Sequence, residues 1–192
     1  MTGGVCNPMN PTATVQPRMI YVIGYPGSGK TTVMSKAVEG WSFSLEDHPF
    51  KHTVYENDVI QLGYARDVYG GTDGLSFNVQ PKVAEWLVAC DSPVVLAEGD
   101  RLANSKFFDT VQKSGWDLQV IHLKVPELLA YRRAWERGSE FDGKWMRGRV
   151  TKVDNLVAYW KESIITLDGN KTVEELAKYV KDEIRMEDGY AG

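Results

Sequence analysis

The octapeptide Gly24-Tyr25-Pro26-Gly27-Ser28-Gly29-Lys30-Thr31 constrains this chain more than any other stretch. It fits G-x-x-x-x-G-K-[ST], with the apolar run Met19-Ile20-Tyr21-Val22-Ile23 directly before it and a helix-compatible segment, residues 30–38, after it. An apolar run without alternation suits a strand covered on both faces. A covered strand that feeds a glycine-rich turn and then a helix predicts a sheet with helices packed on each side.

The rest of the chain repeats that alternation. Residues 52–56, 93–97, 118–125 and 163–167 have strand character. Between them Val83, Trp86, Leu87 and Cys90 share one helical face, as do Val173, Leu176, Ala177, Val180 and Ile184. Thr172 followed three residues later by Glu175 is a capping box that starts the last helix. The expected fold class is therefore α/β, a three-layer domain with a five-stranded parallel sheet and a short helical lid. Residues 1–18, rich in Gly, Pro, Thr and Asn, read as a disordered tail, and residues 19–187 as one domain. A length of 192 residues with 43% hydrophobic content suits one core rather than two.

Charge and cysteine content narrow the function classes. A net charge of −4 argues against a protein that coats nucleic acid by overall charge, while leaving room for a local basic face. Cys6 and Cys90 are too few and too distant in sequence for a disulfide framework or a metal cage, which points to a reducing cytoplasm. No apolar run approaches the ~20 residues that span a bilayer.

The octapeptide carries its own chemistry. Its glycines let successive backbone N–H groups turn inward on a phosphate, and the following helix N-terminus adds a favourable dipole. Gly24, Gly27, Ser28, Gly29, Lys30, Thr31 and Thr32 are the candidate nucleotide-binding residues; Lys30 would reach the β/γ oxygens of ATP and Thr31 would ligate Mg²⁺. The run Val94-Val95-Leu96-Ala97 then delivers Glu98 and Asp100 to the sheet edge where that loop opens. Glu98 is placed to hold the metal through water, with Asp100 and Arg101 beside the acceptor; a charged surface turn is the alternative.

Residues 132–152 hold seven basic side chains, Arg132, Arg133, Arg137, Lys144, Arg147, Arg149 and Lys152, against the acids Glu136, Glu140 and Asp142. This +4 segment on an acidic chain suits capture of triphosphate charge, and Gly138 and Gly143 would let it close as a lid. With Leu128, Tyr131 and Trp135 taken as the core side of its first helix, Arg132 and Arg137 are the preferred pair for the transferring phosphoryl group and Arg133 falls on the surface. For any single arginine, a solvated helix face paired to Glu136 or Glu140 is the alternative.

On the acceptor side, about residues 57–80, Asp58 is the candidate base at the end of the second strand, or else the N-cap of a helix beginning at Val59. Asp73 in the small-residue loop is a candidate substrate ligand, or part of a tight turn. Trp145 lies among arginines, where it would either stack on a base or pack in the core.

The loop at residues 24–32, the strand end Glu98-Gly99-Asp100-Arg101 and the helix at residues 132–137 together resemble the nucleoside-monophosphate-kinase-like group of P-loop kinases, over residues 19–184. The resemblance implies ATP and Mg²⁺ as cofactors, lid arginines on ATP and the transferring group, and an acceptor region within residues 58–76. More narrowly, Gly71-Thr72-Asp73-Gly74-Leu75-Ser76, Glu98-Gly99-Asp100-Arg101-Leu102-Ala103-Asn104 and Arg149-Val150-Thr151-Lys152-Val153-Asp154-Asn155-Leu156 resemble phage-encoded kinases of thymidine hypermodification. Those enzymes phosphorylate 5-hydroxymethyluracil within DNA, which implies hydroxymethylated DNA as partner and a host-cell cytoplasm. Glu98-Gly99-Asp100-Arg101 departs from the Asp-Gly-Phe-Pro-Arg of adenylate kinases, which argues against an adenylate acceptor. A kinase for a free nucleotide or other small acceptor, and an ATP-binding regulatory module, remain the alternatives.

Overall fold

The computed structural model describes residues 16–64, 70–136, 138 and 142–185. Seven strands, β1 Arg18–Ile23, β2 Phe43–Glu46, β3 His52–Tyr55, β4 Val59–Leu62, β5 Val94–Glu98, β6 Asp117–Lys124 and β7 Ile164–Asp168, form one sheet in the order β2-β3-β4-β5-β1-β6-β7. Six helices accompany it: α1 Lys30–Ala37, α2 Gln80–Ala89, α3 Ser105–Lys113, α4 Glu127–Glu136, α5 Gly143–Tyr159 and α6 Val173–Arg185. The α/β three-layer class stands. The central strand β1 is buried along residues 19–23, and its side chains alternate between two cores. Met19, Tyr21 and Ile23 meet Val83 and Leu87 of α2, Phe107, Phe108 and Val111 of α3 and Leu156 of α5. Ile20 and Val22 face Val33, Met34 and Ala37 of α1 and Leu176, Ala177, Val180 and Ile184 of α6. The capping box is present at the start of α6, with Glu175 accepting from Thr172 N and Oγ1 and Thr172 Oγ1 accepting from Glu175 N.

The sheet corrects the five-stranded parallel expectation. Five strands, β4, β5, β1, β6 and β7, do run parallel, but β2 and β3 extend the sheet antiparallel. Residues 52–56, expected as the second parallel strand, supply the antiparallel β3, which ends at Tyr55, and Val59, which would open a helix only in the alternative reading of Asp58 as an N-cap, opens β4. The cause is local: Asn57 and Asp58 both take left-handed conformations, with φ of 61° and 58°, and consecutive left-handed residues reverse the chain within a tight hairpin. Arg18, assigned to the tail, begins β1, and Gln16 and Pro17 already bond to Gly115 and Asp117.

The hairpin decides the fate of Asp58. Val59 pairs with Val94, the first residue of β5, and the Ser92 hydroxyl donates to the Asp58 carbonyl. Asp58 thus stands at the amino edge of the parallel strands, across the sheet from the glycine-rich loop, and its candidacy as catalytic base is withdrawn.

Helix α4 also reverses an expectation. Leu128 and Trp135, expected in the core, are 85% and 76% exposed, while Ala130 and Ala134 are buried. A Cβ added to Gly27 would lie 2.1 Å from the Ala130 carbonyl oxygen. The phosphate loop approaches α4 so closely that only small side chains fit between them.

Candidate active site

The turn after β1 is built for backbone donors. Gly27 and Gly29 have φ of 86° and 96°, values that disfavour any side chain, and Gly29 is the N-cap of α1. Ser28 is buried and its hydroxyl has no hydrogen-bond partner, an orphan that a bound phosphate oxygen would satisfy. Lys30 Nζ lies 2.8 Å from the Gly24 carbonyl and 3.0 Å from that of Tyr25, so its charge is held at the mouth of the loop. Thr31 is half-buried and Thr32 exposed on the first turn of α1.

The end of β5 meets this turn. Thr31 Oγ1 donates to Glu98 Oε1 at 3.0 Å, across sixty-seven positions of sequence. Glu98 is 1% exposed, and burial pushes its carboxyl above the usual carboxylate range, opposed by the nearby Lys30 charge. Gly71 packs on this carboxylate, where an added Cβ would stand 2.4 Å from Glu98 Oε1. A hydroxyl beside a buried carboxylate is a hard oxygen donor pair and fits Mg²⁺, which takes few protein ligands and completes its shell with water and phosphate oxygens. Among the described residues, no group of three or more His, Cys, Asp or Glu forms a cage that would hold a metal by protein ligands alone.

A second cluster lies just beyond. Asp73 Oδ1 accepts from the backbone amides of Asp100, at 2.8 Å, and Arg101, at 3.1 Å, fixing the turn after β5. Tyr21 in β1 braces the same turn, its hydroxyl donating to the Gly99 carbonyl at 3.1 Å and meeting Thr72 Oγ1 at 3.2 Å. The Arg101 guanidinium lies 3.8 Å from the Phe77 ring centroid. From α5, Arg149 pairs with the Asp100 carboxylate, and Lys152 reaches Asp100 Oδ1 at 3.0 Å and its carbonyl at 2.7 Å. Burial, with the neighbouring charges of Arg149 and Arg101, prevails over the attraction of Asp73 and draws Lys152 down to about 8. Nearby, Asp154 of α5 accepts from the Tyr25 hydroxyl at 2.6 Å, tying the helix to the phosphate loop.

Of the residues singled out in the sequence, Gly24 through Thr31 and Glu98 converge at one end of the sheet, with Asp73, Asp100 and Arg101 beside them. Arg132 does not join them: it projects to solvent, 70% exposed, and pairs with Glu136 at 3.5 Å, the outcome expected of a solvated helix face. Arg133, expected at the surface, is half-buried instead. Arg137 lies outside the described residues. Two cations of the basic stretch that do reach the site, Arg149 and Lys152, were counted there but not chosen. Their signal was available: Met146, Val150, Val153 and Leu156 form the buried stripe of α5, and the two cations flank it.

A parallel sheet whose central strand ends in this loop, opposite a buried strand-end acid, defines an ATP-dependent P-loop kinase. The family model described as P-loop Nucleotide Kinase3 matches residues 15–173, and the chain belongs to that family. Among solved structures it is similar to the YorR protein of Bacillus subtilis in complex with phosphorylated GDP, with 15% identity, a TM-score of 0.52, and coverage of 91% of this chain and 99% of that one. It is also similar to shikimate kinase from Acinetobacter baumannii, at 17% identity and a TM-score of 0.48, covering 91% and 96% of the two chains. Deoxyadenosine kinase from M. mycoides with bound dCTP gives 13% identity and 0.49, covering 87% and 98%. At these identities the likeness concerns the fold. A search of curated protein sequences gave no match. Among the described residues, no helix is long and apolar enough to cross a membrane.

Proposed function

We propose that this kinase moves the γ-phosphoryl group of ATP onto the 5-hydroxymethyl group of a pyrimidine, hydroxymethyluracil, within DNA. The observation that carries the reading is a convergence. The three stretches resembling kinases of thymidine hypermodification, residues 71–76, 98–104 and 149–156, are remote in sequence. They meet here through Asp73, Asp100, Arg149 and Lys152. Their meeting place adjoins the phosphate loop through Glu98 and Thr31.

In this reading Gly24, Gly27, Ser28 and Gly29 cradle the phosphates, and Lys30 leaves the loop carbonyls for the β/γ oxygens. Thr31 and Glu98 would hold Mg²⁺, which would supply neutralisation of phosphate charge. Asp100 orients the acceptor hydroxyl for in-line attack. Arg149 and Lys152 keep Asp100 in place and face the charge that builds on the transferring group. Arg101 and the loop ordered by Asp73 form the acceptor wall. A base stacked in a duplex cannot enter such a site, so the enzyme uses single strands or extrudes the nucleotide.

The test is radiolabelled ATP offered with hydroxymethyluracil DNA, unmodified DNA and free hydroxymethylated mononucleotide. Label is expected on the modified DNA alone or fastest. Faster transfer to the mononucleotide replaces the DNA reading with that of a small-acceptor kinase and leaves the donor site as described.

Lys152 gives a pH prediction. Because its folded pKa of about 8 lies below the 10.5 of an ordinary lysine, its charge is lost as the pH rises through about 8. The stability cost of burying that charge is relieved as the pH climbs from about 8 to 10.5, where the unfolded lysine loses its proton too. If the charge serves the transition state, kcat/KM falls along a limb centred near pH 8, and Lys152→Arg moves the limb to higher pH because a guanidinium keeps its charge far beyond that range. A limb at the same pH in Lys152→Arg would remove Lys152 from the reaction.

A further inference from the structure

Helix α5 touches both halves of the site. Its stripe of Met146, Val150, Val153 and Leu156 is buried, and at 3.6 residues per turn Lys152 and Asp154 fall on opposite flanks of that stripe. From one flank Lys152 reaches Asp100 after β5; from the other, Asp154 accepts from the Tyr25 hydroxyl of the phosphate loop at 2.6 Å. The strands that end at these two partners, β5 and β1, are parallel neighbours, so the helix straddles the junction between the acceptor acid and the phosphate loop.

Two observations give the Tyr25–Asp154 bond a role beyond surface pairing. Asp154 is exposed on a helix, where an acid ordinarily pairs with a cation one turn away, yet the residues three and four positions from it, Val150, Thr151, Val157 and Ala158, are uncharged. Its partner lies 129 positions away instead, in the loop. Tyr25 for its part is held at two points, its hydroxyl by Asp154 and its carbonyl by Lys30 Nζ at 3.0 Å. Burial and the Asp154 carboxylate both raise the pKa of Tyr25, so its hydroxyl keeps the proton that it donates. When Lys30 turns to a phosphate, Tyr25 loses a main-chain partner, and the side chain of the same residue is the link to α5.

We infer that Tyr25 and Asp154 are positioning residues that couple nucleotide occupancy of the phosphate loop to the order of α5, and through Arg149 and Lys152 to the orientation of Asp100. Both act through other groups rather than on the reacting atoms. The inference rests on the roles proposed above for Lys30 and Asp100 and is indifferent to which acceptor the kinase uses.

The test needs no acceptor. Hydrogen exchange of the α5 amides over residues 151–158 is followed in wild type, Tyr25→Phe, Asp154→Ala and the double variant. Each is measured without nucleotide and with saturating Mg²⁺ and the β,γ-imido analogue of ATP, whose affinity is determined in parallel. In wild type the analogue is expected to slow these amides by roughly 5-fold, the low end of coupling between sites. Either single variant should lose that response while keeping most of its nucleotide-free protection. The double variant should lose no more than each alone, because the same bond is removed in all three. A response retained in Tyr25→Phe would come from direct contact between the analogue and α5, and would overturn the inference. So would faster exchange of equal size with and without nucleotide, the mark of a bond that only braces the fold, or a wild type that binds the analogue with no change in α5. A wild type that binds no analogue would overturn the kinase site itself along with the inference.

Discussion

Replacing Lys30 with alanine is expected to lower kcat by roughly 10²–10³-fold, the effect of removing one preorganised charge from a site of phosphoryl transfer. Lys30 Nζ is held by the carbonyls of Gly24 and Tyr25, at 2.8 and 3.0 Å. ATP offers a stronger anionic partner a short side-chain rotation away, and a charge that follows the γ-phosphoryl group favours the transition state over the ground state. The fold should barely register the change. Lys30 is only half-buried, and water can reach the two carbonyls it leaves, so the cost in unfolding free energy should be about 1 kcal/mol or less. Steady-state kinetics beside thermal unfolding decide the matter. Near-wild-type kcat with unchanged Tm would exclude Lys30 from transfer, and a large fall in Tm would make any loss of activity a folding effect.

Glu98→Gln is expected to separate stability from function in the opposite direction. Glu98 is almost wholly buried with its carboxyl pushed upward, chiefly by burial, so the folded chain carries a penalty whenever that group is ionised. A folded pKa raised above the unfolded value means that Glu98 favours folding most below the unfolded pKa. That contribution is lost as the pH rises through the folded one. Near neutral pH the neutral, isosteric glutamine should therefore raise the Tm of the metal-free protein, by roughly 2–4 °C for each kcal/mol recovered in a chain of this size. The same variant should weaken Mg²⁺ activation by roughly 10–100-fold, the usual effect of altering a group that holds a metal or its water. Thermal scans in chelator with and without added Mg²⁺, set beside the Mg²⁺ dependence of turnover, read both effects. A metal-free Tm that falls would show that the carboxylate is structurally required, and unchanged Mg²⁺ activation would release Glu98 from the metal.

Much of the donor site was legible because it is contiguous. The phosphate loop, the strand before it and the helix after it occupy residues 18–37, and every signal they need, apolar run, glycines and lysine, is local. Glu98 was legible too, since an apolar strand that ends in an acid leaves that acid at a sheet edge. The pairing of Thr31 with Glu98 follows once β1 and β5 are neighbours. The capping box of α6 and the buried faces of α2 and α6 were read from periodicity alone, because helix–sheet packing selects for a single stripe.

What the sequence by itself determined, then, is the class of fold, the phosphate loop and the acid that faces it. Tertiary structure alone decided the acceptor side. Whether residues 52–56 run with or against β5 depends on two left-handed residues, Asn57 and Asp58, and that turn carries Asp58 to the far edge of the sheet. Helix α4 presents alanines inward because the backbone of the phosphate loop lies against it, a close approach that no apolar periodicity within residues 127–136 records. The apolar stripe of α5 marks which basic residues flank a packed face, but which of the seven meets a partner is set by the fold. Arg149 and Lys152 reach Asp100 because α5 crosses the carboxyl end of β5, whereas Arg132 faces water on α4 beside Glu136. Local patterns record which face of an element is apolar; where a polar side chain on its flank points is set by the neighbour that the fold brings to it.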